Sequence, residues 1–538
     1  MSTKSYARHA STRVTPQTEA IPGSSQVENS SGGFSFAVDD WARLDRFLVL
    51  GSEKGSYYAT EQSLTRENAA VVRRCAEVDP RRTVDRIVEI SVSGRAPKND
   101  PAIFAIAMLS GMGGDAARYA LEAMPAVCRT GTHLFQFVEA AEQFRGWGRA
   151  MKRAVGGWYL DKSPEKLCYQ LAKYQQRNGW SHRDVLRLAK PVTDNDPALA
   201  WAVGKSTYPL GDMAGEKGYS LLVAFEQAKR ATTAAEIVTL INEYNLPREC
   251  IPTKWLNEQS VWHALLGNMP MTAMVRNLGK MSAIGLTTPM SAASEVVASR
   301  LVDEQRLRDS RIHPLQVLMA LAIYQNGRGL KGSLSWSPDA NILSALDKAF
   351  NLSFGNVVPT GKRHLMALDV SGSMSTPISG TFLSCREAAA AMAMVTVKTE
   401  PLTHTVAFTG GCGFRGWNET VLTEMAFHQG MSIRDAVGAT ERLNFGQTDC
   451  ALPMVYALDK KIEADVFVVL TDSETYAGSI HPVQALKKYR RVMGIPAKLV
   501  VVGMVSNEFS IADPDDAGML DVVGFDSAAP SVIADFVR

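Results

Sequence analysis

The stretch His364-Leu-Met-Ala-Leu-Asp369-Val-Ser371-Gly-Ser373-Met-Ser375 admits few folds. An apolar run of strand length ends in an acid, two hydroxyls follow at alternate positions, and an Ala-rich segment comes next. That order reads as strand, loop, helix. In an open α/β sheet, ligands sit beyond the carboxyl ends of the strands, and Asp369, Ser371 and Ser373, at i, i+2 and i+4, can point into one cup there. These are all hard oxygen ligands, which suit Mg2+ or Mn2+ rather than zinc. From Gly361 onward, apolar strands at 364–370, 404–409, 464–471 and 497–505 alternate with helical segments near 382–397, 432–440, 449–460 and 481–493. This alternation predicts a doubly wound, mostly parallel sheet with helices on both faces.

The Asp-x-Ser-x-Ser stretch resembles the signature of von Willebrand factor A-like domains, whose metal-ion-dependent adhesion site also takes a threonine and a second aspartate from later loops. Both are present in order: Thr448, in Gly446-Gln-Thr-Asp449, precedes a helical pattern, and Asp472 ends the apolar run 466–471. The resemblance implies a metal site of Asp369, Ser371, Ser373, Thr448 and Asp472 that holds Mg2+ or another divalent cation. The ion would keep a position open for an acidic residue of a protein partner, for instance an exoribonuclease. A metal-dependent phosphatase or nuclease is the enzymatic alternative, but it needs a base or nucleophile beside the ion, and most two-metal sites need a second carboxylate. Asp449 and Glu474 are near in sequence but fit capping or supporting roles better. No catalytic residue is assigned, and the chain is read as a binding protein rather than an enzyme.

A chain of 538 residues is too long for one core. From about Phe34 to Phe350 amphipathic helical stretches follow one another, broken at Gly51, Gly94, Pro97, 111–114, Gly131, Gly179, Pro247, Pro252, Pro270 and Pro314. Helix after helix without strands predicts a helical repeat array over 34–361, or an irregular bundle, ahead of the α/β domain at 362–538. Residues 1–33, rich in Ser, Thr and basic side chains, read as a flexible tail, with a transit peptide as the alternative. No apolar run is long enough to span a bilayer. The seven scattered cysteines form no Cys-x-x-Cys pair and read as reduced thiols of a cytoplasmic protein.

Charge is unevenly placed. Residues 362–538 carry 15 Lys and Arg against 20 Asp and Glu, whereas residues 1–361 carry 42 against 35. Between Arg145 and Lys190 there are 11 basic residues and only three acids. A local basic excess on a near-neutral protein is the footprint of a polyanion site. A helix predicted over 164–177 would put Lys166, Lys173 and Arg177 on one face beside an apolar seam of Leu167, Leu171 and Tyr174. Ser181 and Asp184 form a capping box for the next helix, which carries His182, Arg183, Arg187 and Lys190. Arg149, Lys152 and Arg153 cluster upstream beside Trp147, and Arg276 and Lys280 share a later helix face; Arg311, His313, Arg328 and Lys331 are further positions. A protein scaffold whose basic helices dock an acidic partner is the competing reading.

Six further stretches carry a second, more specific resemblance: Asp45-Arg-Phe-Leu48 with Gly51-Ser52-Glu53, Arg177-Asn-Gly-Trp-Ser-His182, Arg276-Asn-Leu-Gly-Lys-Met281, Arg311-Ile-His-Pro314, Pro359-Thr-Gly-Lys362 and Ile511-Ala-Asp-Pro-Asp-Asp516. They are similar to those of the Ro ribonucleoprotein autoantigen family, over about 34–538. The resemblance implies a ring of HEAT-like helical repeats, the TROVE domain, closed by the A-like domain in a monomeric cytoplasmic protein of RNA quality control. It implies binding of small noncoding Y RNAs on the outer surface and of single-stranded 3′ ends of misfolded RNAs through the central hole. Lys173, Arg177 and Lys190 match the family's RNA-contacting positions, and His182, Arg276 and Lys280 match family residues as well. Lys190 replaces a histidine familiar in animal members, and Gln447 stands where glycine is common.

Overall fold

A computed structural model describes residues 14–51, 69–177, 179–192, 196–204, 218–330, 333–355, 357–378, 383–410, 422–443 and 446–538. Ser52, Glu53, Asn178 and Lys331, named above, and one of the seven cysteines, Cys412, lie outside them. Short strands β1 (Gln26–Glu28) and β2 (Phe34–Ala37) open the described chain as an antiparallel pair. A succession of helices follows from Asp40 to Leu352, interrupted by a hairpin of β3 (Gln176–Arg177) and β4 (Trp180–Ser181). Each helix follows from its local chemistry. Met271–Ala283 starts behind Pro270 and buries Met271, Met274, Val275, Leu278 and Met281 at helical spacing.

The C-terminal domain has one six-stranded sheet, with β5 (His364–Asp369), β6 (Thr403–Phe408), β7 (Leu422–Met425), β8 (Val466–Thr471), β9 (Lys498–Gly503) and β11 (Met519–Val523) in the order β11-β9-β8-β5-β6-β7. All neighbours are parallel except the edge strand β7. Every residue of β5 and β8 is buried, as expected for central strands covered on both faces. After β5 the chain moves to β6 on one side and later returns to β8 on the other, so the direction of winding switches at the end of β5. That is where ligands of such sheets bind.

The two ends of the helical array meet each other. His313 Nε2 lies 3.0 Å from Arg95 O and 2.7 Å from Phe525 O, and Gln316 Nε2 donates to Pro97 O at 2.8 Å. The array therefore closes on itself across more than 200 residues of chain, with the β11–helix turn of the A-like domain wedged into the seam. Arg95 pairs with Asp526 of the same turn. Arg46, only 1% exposed, reaches from the first helix to Asp521 on β11 and to the carbonyls of Asn507 and Phe509.

Residues 14–33 depart from the flexible tail expected of them. They lie across the A-like domain, where β2 pairs with β10 (Phe509–Ser510). The fully buried Gln17 amide donates to Asp449 Oδ1 at 2.7 Å and Ile480 O at 2.9 Å, and accepts from Gly478 N at 3.1 Å. Their polar composition serves hydrogen bonds to another domain, which composition alone does not distinguish from solvation. Two other expectations are revised. Phe34–Ala37 is strand rather than helix. The helix expected over 164–177 ends at Lys173, because Gly179 with φ +78° turns the chain into the β3–β4 hairpin.

Candidate nucleic-acid interface and metal centre

The residues expected to hold a cation converge at the carboxyl ends of β5 and β8. Leu368 is paired with Leu470 on these adjacent parallel strands, so Asp369 and Asp472 leave the sheet side by side. Asp369 Oδ1 accepts from Ser371 N at 2.9 Å and Oδ2 from Thr471 Oγ1 at 2.6 Å, while the Ser371 and Ser373 hydroxyls lie 3.1 Å apart. The third loop closes on the other two: Gly372 N donates to Gly446 O, and Thr448 O accepts from Tyr476 N and Ala477 N. All five side chains are buried.

Two carboxylates share this pocket, and among the described residues neither has an ion pair with a basic side chain. Burial, reinforced by the neighbouring Asp472, pushes the Asp369 carboxyl up to about 7, and burial raises Asp472 too. Asp472 Oδ2 is buried without a hydrogen-bond partner. Buried acceptor oxygens with uncompensated charge are the donor set of a hard divalent cation, so the residues fit such an ion. Glu474 is a third buried carboxylate, touched by Ser31 Oγ at 3.3 Å. Asp449 Oδ1 accepts from Ala451 N at 3.0 Å, just ahead of the following helix.

The basic window folds into elements that pack on one another. Helix Arg149–Leu160 packs against helix His182–Ala189, and the hairpin and helix Gly131–Glu142 complete the group. Arg149, Arg177, Arg183, Arg187 and Lys190 are exposed, and Lys152 and Lys173 half-buried. Lys190 ends its helix with φ 47°. Arg177 stands on the hairpin rather than on a helix face with Lys173, whose ammonium donates to Tyr169 Oη at 2.8 Å. Among the described residues, no basic side chain between 145 and 190 has an ion-pair partner. Several basic residues elsewhere in the array are neutralised, as in Arg81–Asp85 at 3.0 Å, Arg118–Asp115 at 2.8 Å and the Arg86–Asp45 pair. Two of the window's three acids are engaged locally. Asp184 accepts from Ser181 N and Oγ in the capping box, and Glu165 bonds the Ser163 cap.

His182 does not belong to this surface. Its ring is 3% exposed, 2.9 Å from Tyr159 Oη and packed against Phe135 at 4.7 Å, so it is a core histidine that organises the basic elements from beneath. His313 is likewise structural, accepting from Leu315 N through Nδ1 at 3.1 Å. Burial lowers both imidazoles to about 4. Unfolding returns a histidine to about 6.5, so between about pH 6.5 and 4 the unfolded chain binds protons that the folded chain refuses. The contribution of each ring is complete above about pH 6.5 and declines as pH falls toward 4. The destabilisation caused by His313→Gln should therefore be larger at about pH 7.5 than at about pH 5, as urea midpoints of mutant and wild type will report.

Arg276 and Lys280 lie apart from the window, on the helix Met271–Ala283, where Lys280 Nζ donates to Asn257 Oδ1 at 2.8 Å. Sequence reasoning missed Lys98 and Arg248, which line one cavity together with Arg276 and Lys280. No sequence spacing links these four, because closure of the ring brings Lys98 to the others. Arg248 also connects the two clusters: its short turn packs on the helix of Lys173, with Cys250 Sγ 3.6 Å from Ala172 O.

Comparison with known proteins agrees with this architecture. Residues 27–323 match the TROVE domain and residues 363–537 the Ro60 vWA domain. The RNA-binding protein RO60 of Caenorhabditis elegans is 37% identical over 98% of this chain and 92% of its own length. Its namesake in Deinococcus radiodurans is 38% identical over 97% of each chain. The crystal structure of the Deinococcus radiodurans RO (RSR) protein superposes with a TM-score of 0.70 at 37% identity, covering 93% of this chain and 99% of that one. A closed helical array followed by an A-like domain, matched along nearly its whole length, places the chain in the Ro family of TROVE and von Willebrand factor A proteins.

Proposed function

We propose that this chain is an RNA-binding protein of small noncoding ribonucleoproteins, holding RNA by its phosphates on the basic face of the helical ring. The observation that carries the reading is the basic window, where 11 Lys and Arg stand among three acids and none has an ion-pair partner among the described residues. Leaving so much charge unneutralised costs self-repulsion in the free protein, and a polyanion relieves it. The relatives named RNA-binding protein RO60 support the same reading.

Y-type RNAs and misfolded RNAs with single-stranded 3′ ends are the proposed ligands, and RNA quality control in the cytoplasm the proposed setting. A closed ring selects by shape: an unpaired end can enter where a duplex cannot. A hairpin RNA with a 3′ tail of about 10 nucleotides should bind about 10-fold or more tightly than the same hairpin blunt-ended. Equal affinities in a gel-shift titration would remove the 3′-end part of the proposal.

For the A-like domain we propose a divalent cation, Mg2+ or a relative, with Asp369 and Asp472 supplying charge and Ser371, Ser373 and Thr448 positioning it. The ion would offer a coordination position to an acidic side chain of a protein partner, an exoribonuclease among them. Titrating Mg2+ or Mn2+ calorimetrically into wild type should give a binding heat that Asp369→Ala abolishes. Equal heats from both proteins would eliminate the centre.

A further inference from the structure

The segment 472–480, which begins with Asp472, has neither helix nor strand, yet Asp472 through Thr475, Gly478 and Ile480 are buried. A buried irregular stretch carries backbone donors and acceptors that must find partners elsewhere. Residues 14–37, lying across the A-like domain as a strap, supply them. Ser35 Oγ donates to Ser473 O at 3.1 Å, Asn29 Nδ2 to Thr475 O at 2.9 Å and Gln17 Nε2 to Ile480 O at 2.9 Å. Gly478 N donates to Gln17 Oε1 at 3.1 Å, and Gly478 O accepts from Gln17 N at 2.9 Å. No side chain fits between the two segments: a Cβ on Gly33 would stand 2.0 Å from Thr475 O, and one on Gly478 2.3 Å from Gln17 Nε2. Ser473, beside the metal-site acid, holds φ +62°, which a residue other than glycine keeps only where its surroundings enforce it.

Gln17 also reaches the loop before this one. Its Nε2 donates to Asp449 Oδ1 at 2.7 Å, while its Oε1 accepts from Thr475 Oγ1 at 2.5 Å. Both donor positions and both acceptor positions of the buried amide are therefore used. Asp449 follows Thr448, whose carbonyl accepts from Tyr476 N and Ala477 N at 3.1 and 3.0 Å. One side chain thus ties the loop of Thr448 to the loop of Asp472. Asp369 needs no such tie, because it ends β5 in the middle of the sheet.

We propose that the strap is a working part of the cation centre, with Gln17 as the positioning residue that sets the spacing between Thr448 and Asp472. The proposal rests on the cation reading of the A-like domain and extends it to residues that touch no ion. Mg2+ tolerates little departure from octahedral geometry, so loops free to drift apart hold it poorly. Groups that orient the ligands of a metal typically change its affinity by about 10–100-fold when removed.

The test is calorimetric titration of MgCl2 and MnCl2 into the full chain. Gln17→Met, which keeps the length of the side chain and removes its hydrogen bonds, should weaken binding about 10-fold or more. Ser35→Ala, which deletes the single bond to Ser473 O, should weaken it about 3-fold. Gln484→Ala loosens the strap at Thr15 N, on the helix Pro482–Met493 and away from both loops, and should bind as wild type does. In metal-free protein, the amides of Tyr476 and Ala477 should exchange with solvent faster in Gln17→Met than in wild type. A strap that merely stabilises the fold would lower the unfolding midpoint of Gln17→Met and leave its Kd unchanged. Wild-type Kd in both Gln17→Met and Ser35→Ala, or an equal loss in Gln484→Ala, overturns the positioning role while the cation stands. If Gln17→Met does not fold, Ser35→Ala decides by the same criterion. Wild type that binds neither ion overturns the cation reading and the role of the strap together.

Discussion

Asp521→Ala should destabilise the protein by about 3–5 kcal/mol, the largest single-residue effect expected here. Asp521 accepts both bonds of a two-pronged contact from Arg46 Nη2, at 2.7 and 2.9 Å. The Arg46 side chain is 1% exposed and comes from the first helix of the ring, whereas Asp521 lies on β11 of the A-like domain. Removing the carboxylate leaves a guanidinium buried with only carbonyls and the Asn507 amide as partners. Arg46→Met together with Asp521→Ala should recover much of the loss, because the cost is the stranded charge rather than the lost pair. Arg73→Ala, which breaks the exposed Arg73–Glu77 pair, should change stability by less than about 1 kcal/mol. Chemical unfolding followed by tryptophan fluorescence will order the variants. Asp521→Ala unfolding at the wild-type midpoint would show that the junction between ring and A-like domain is not held by this ion pair.

The second large effect concerns RNA. Lys173→Ala with Arg177→Ala removes two cations from adjoining elements, the end of the helix Pro164–Lys173 and the hairpin that follows. If each neutralises one phosphate, the pair should cost about 10-fold or more in affinity near 0.1 M salt and flatten the salt dependence by about two units of slope. The loss should be similar for RNAs of different sequence, since phosphate contacts carry no base information. His182→Ala is a different case: buried against Tyr159 and Phe135, it should act through stability. A variant at His182 that lowers RNA affinity without lowering stability would restore it to the interface.

Sequence and structure agree wherever one segment decides the outcome. The strand, acid and hydroxyls of 364–375 locate the end of β5 and the acidic loop after it because period, charge and loop chemistry coincide within twelve residues, and the order of the three loops follows from the alternation of strands and helices. The basic window is visible for the same reason, as is the Ser181–Asp184 cap. What is hidden depends on contacts between distant segments. Gln17 and Asn29 look like tail residues until Asp449 and Thr475 are beside them. Lys98 joins Arg248, Arg276 and Lys280 only because Arg95 and Pro97 meet His313 and Gln316. The depth of His182 is hidden for a related reason. Position in a polar first turn says nothing about depth, and its burial is set by Tyr159, 23 residues away. At Arg177 a local signal was present but carried two meanings, since Asn-Gly ends helices and also turns hairpins.

The central claim is that unneutralised positive charge, held on a rigid closed array, is an RNA phosphate site. It is tested most directly by the affinity of wild-type protein for a 3′-tailed hairpin RNA between about 50 and 200 mM salt. The account predicts a steep linear fall of log K with log salt, with a slope of several units that the Lys173 and Arg177 substitutions reduce by about two. A slope near zero, or one the substitutions leave unchanged, would contradict it.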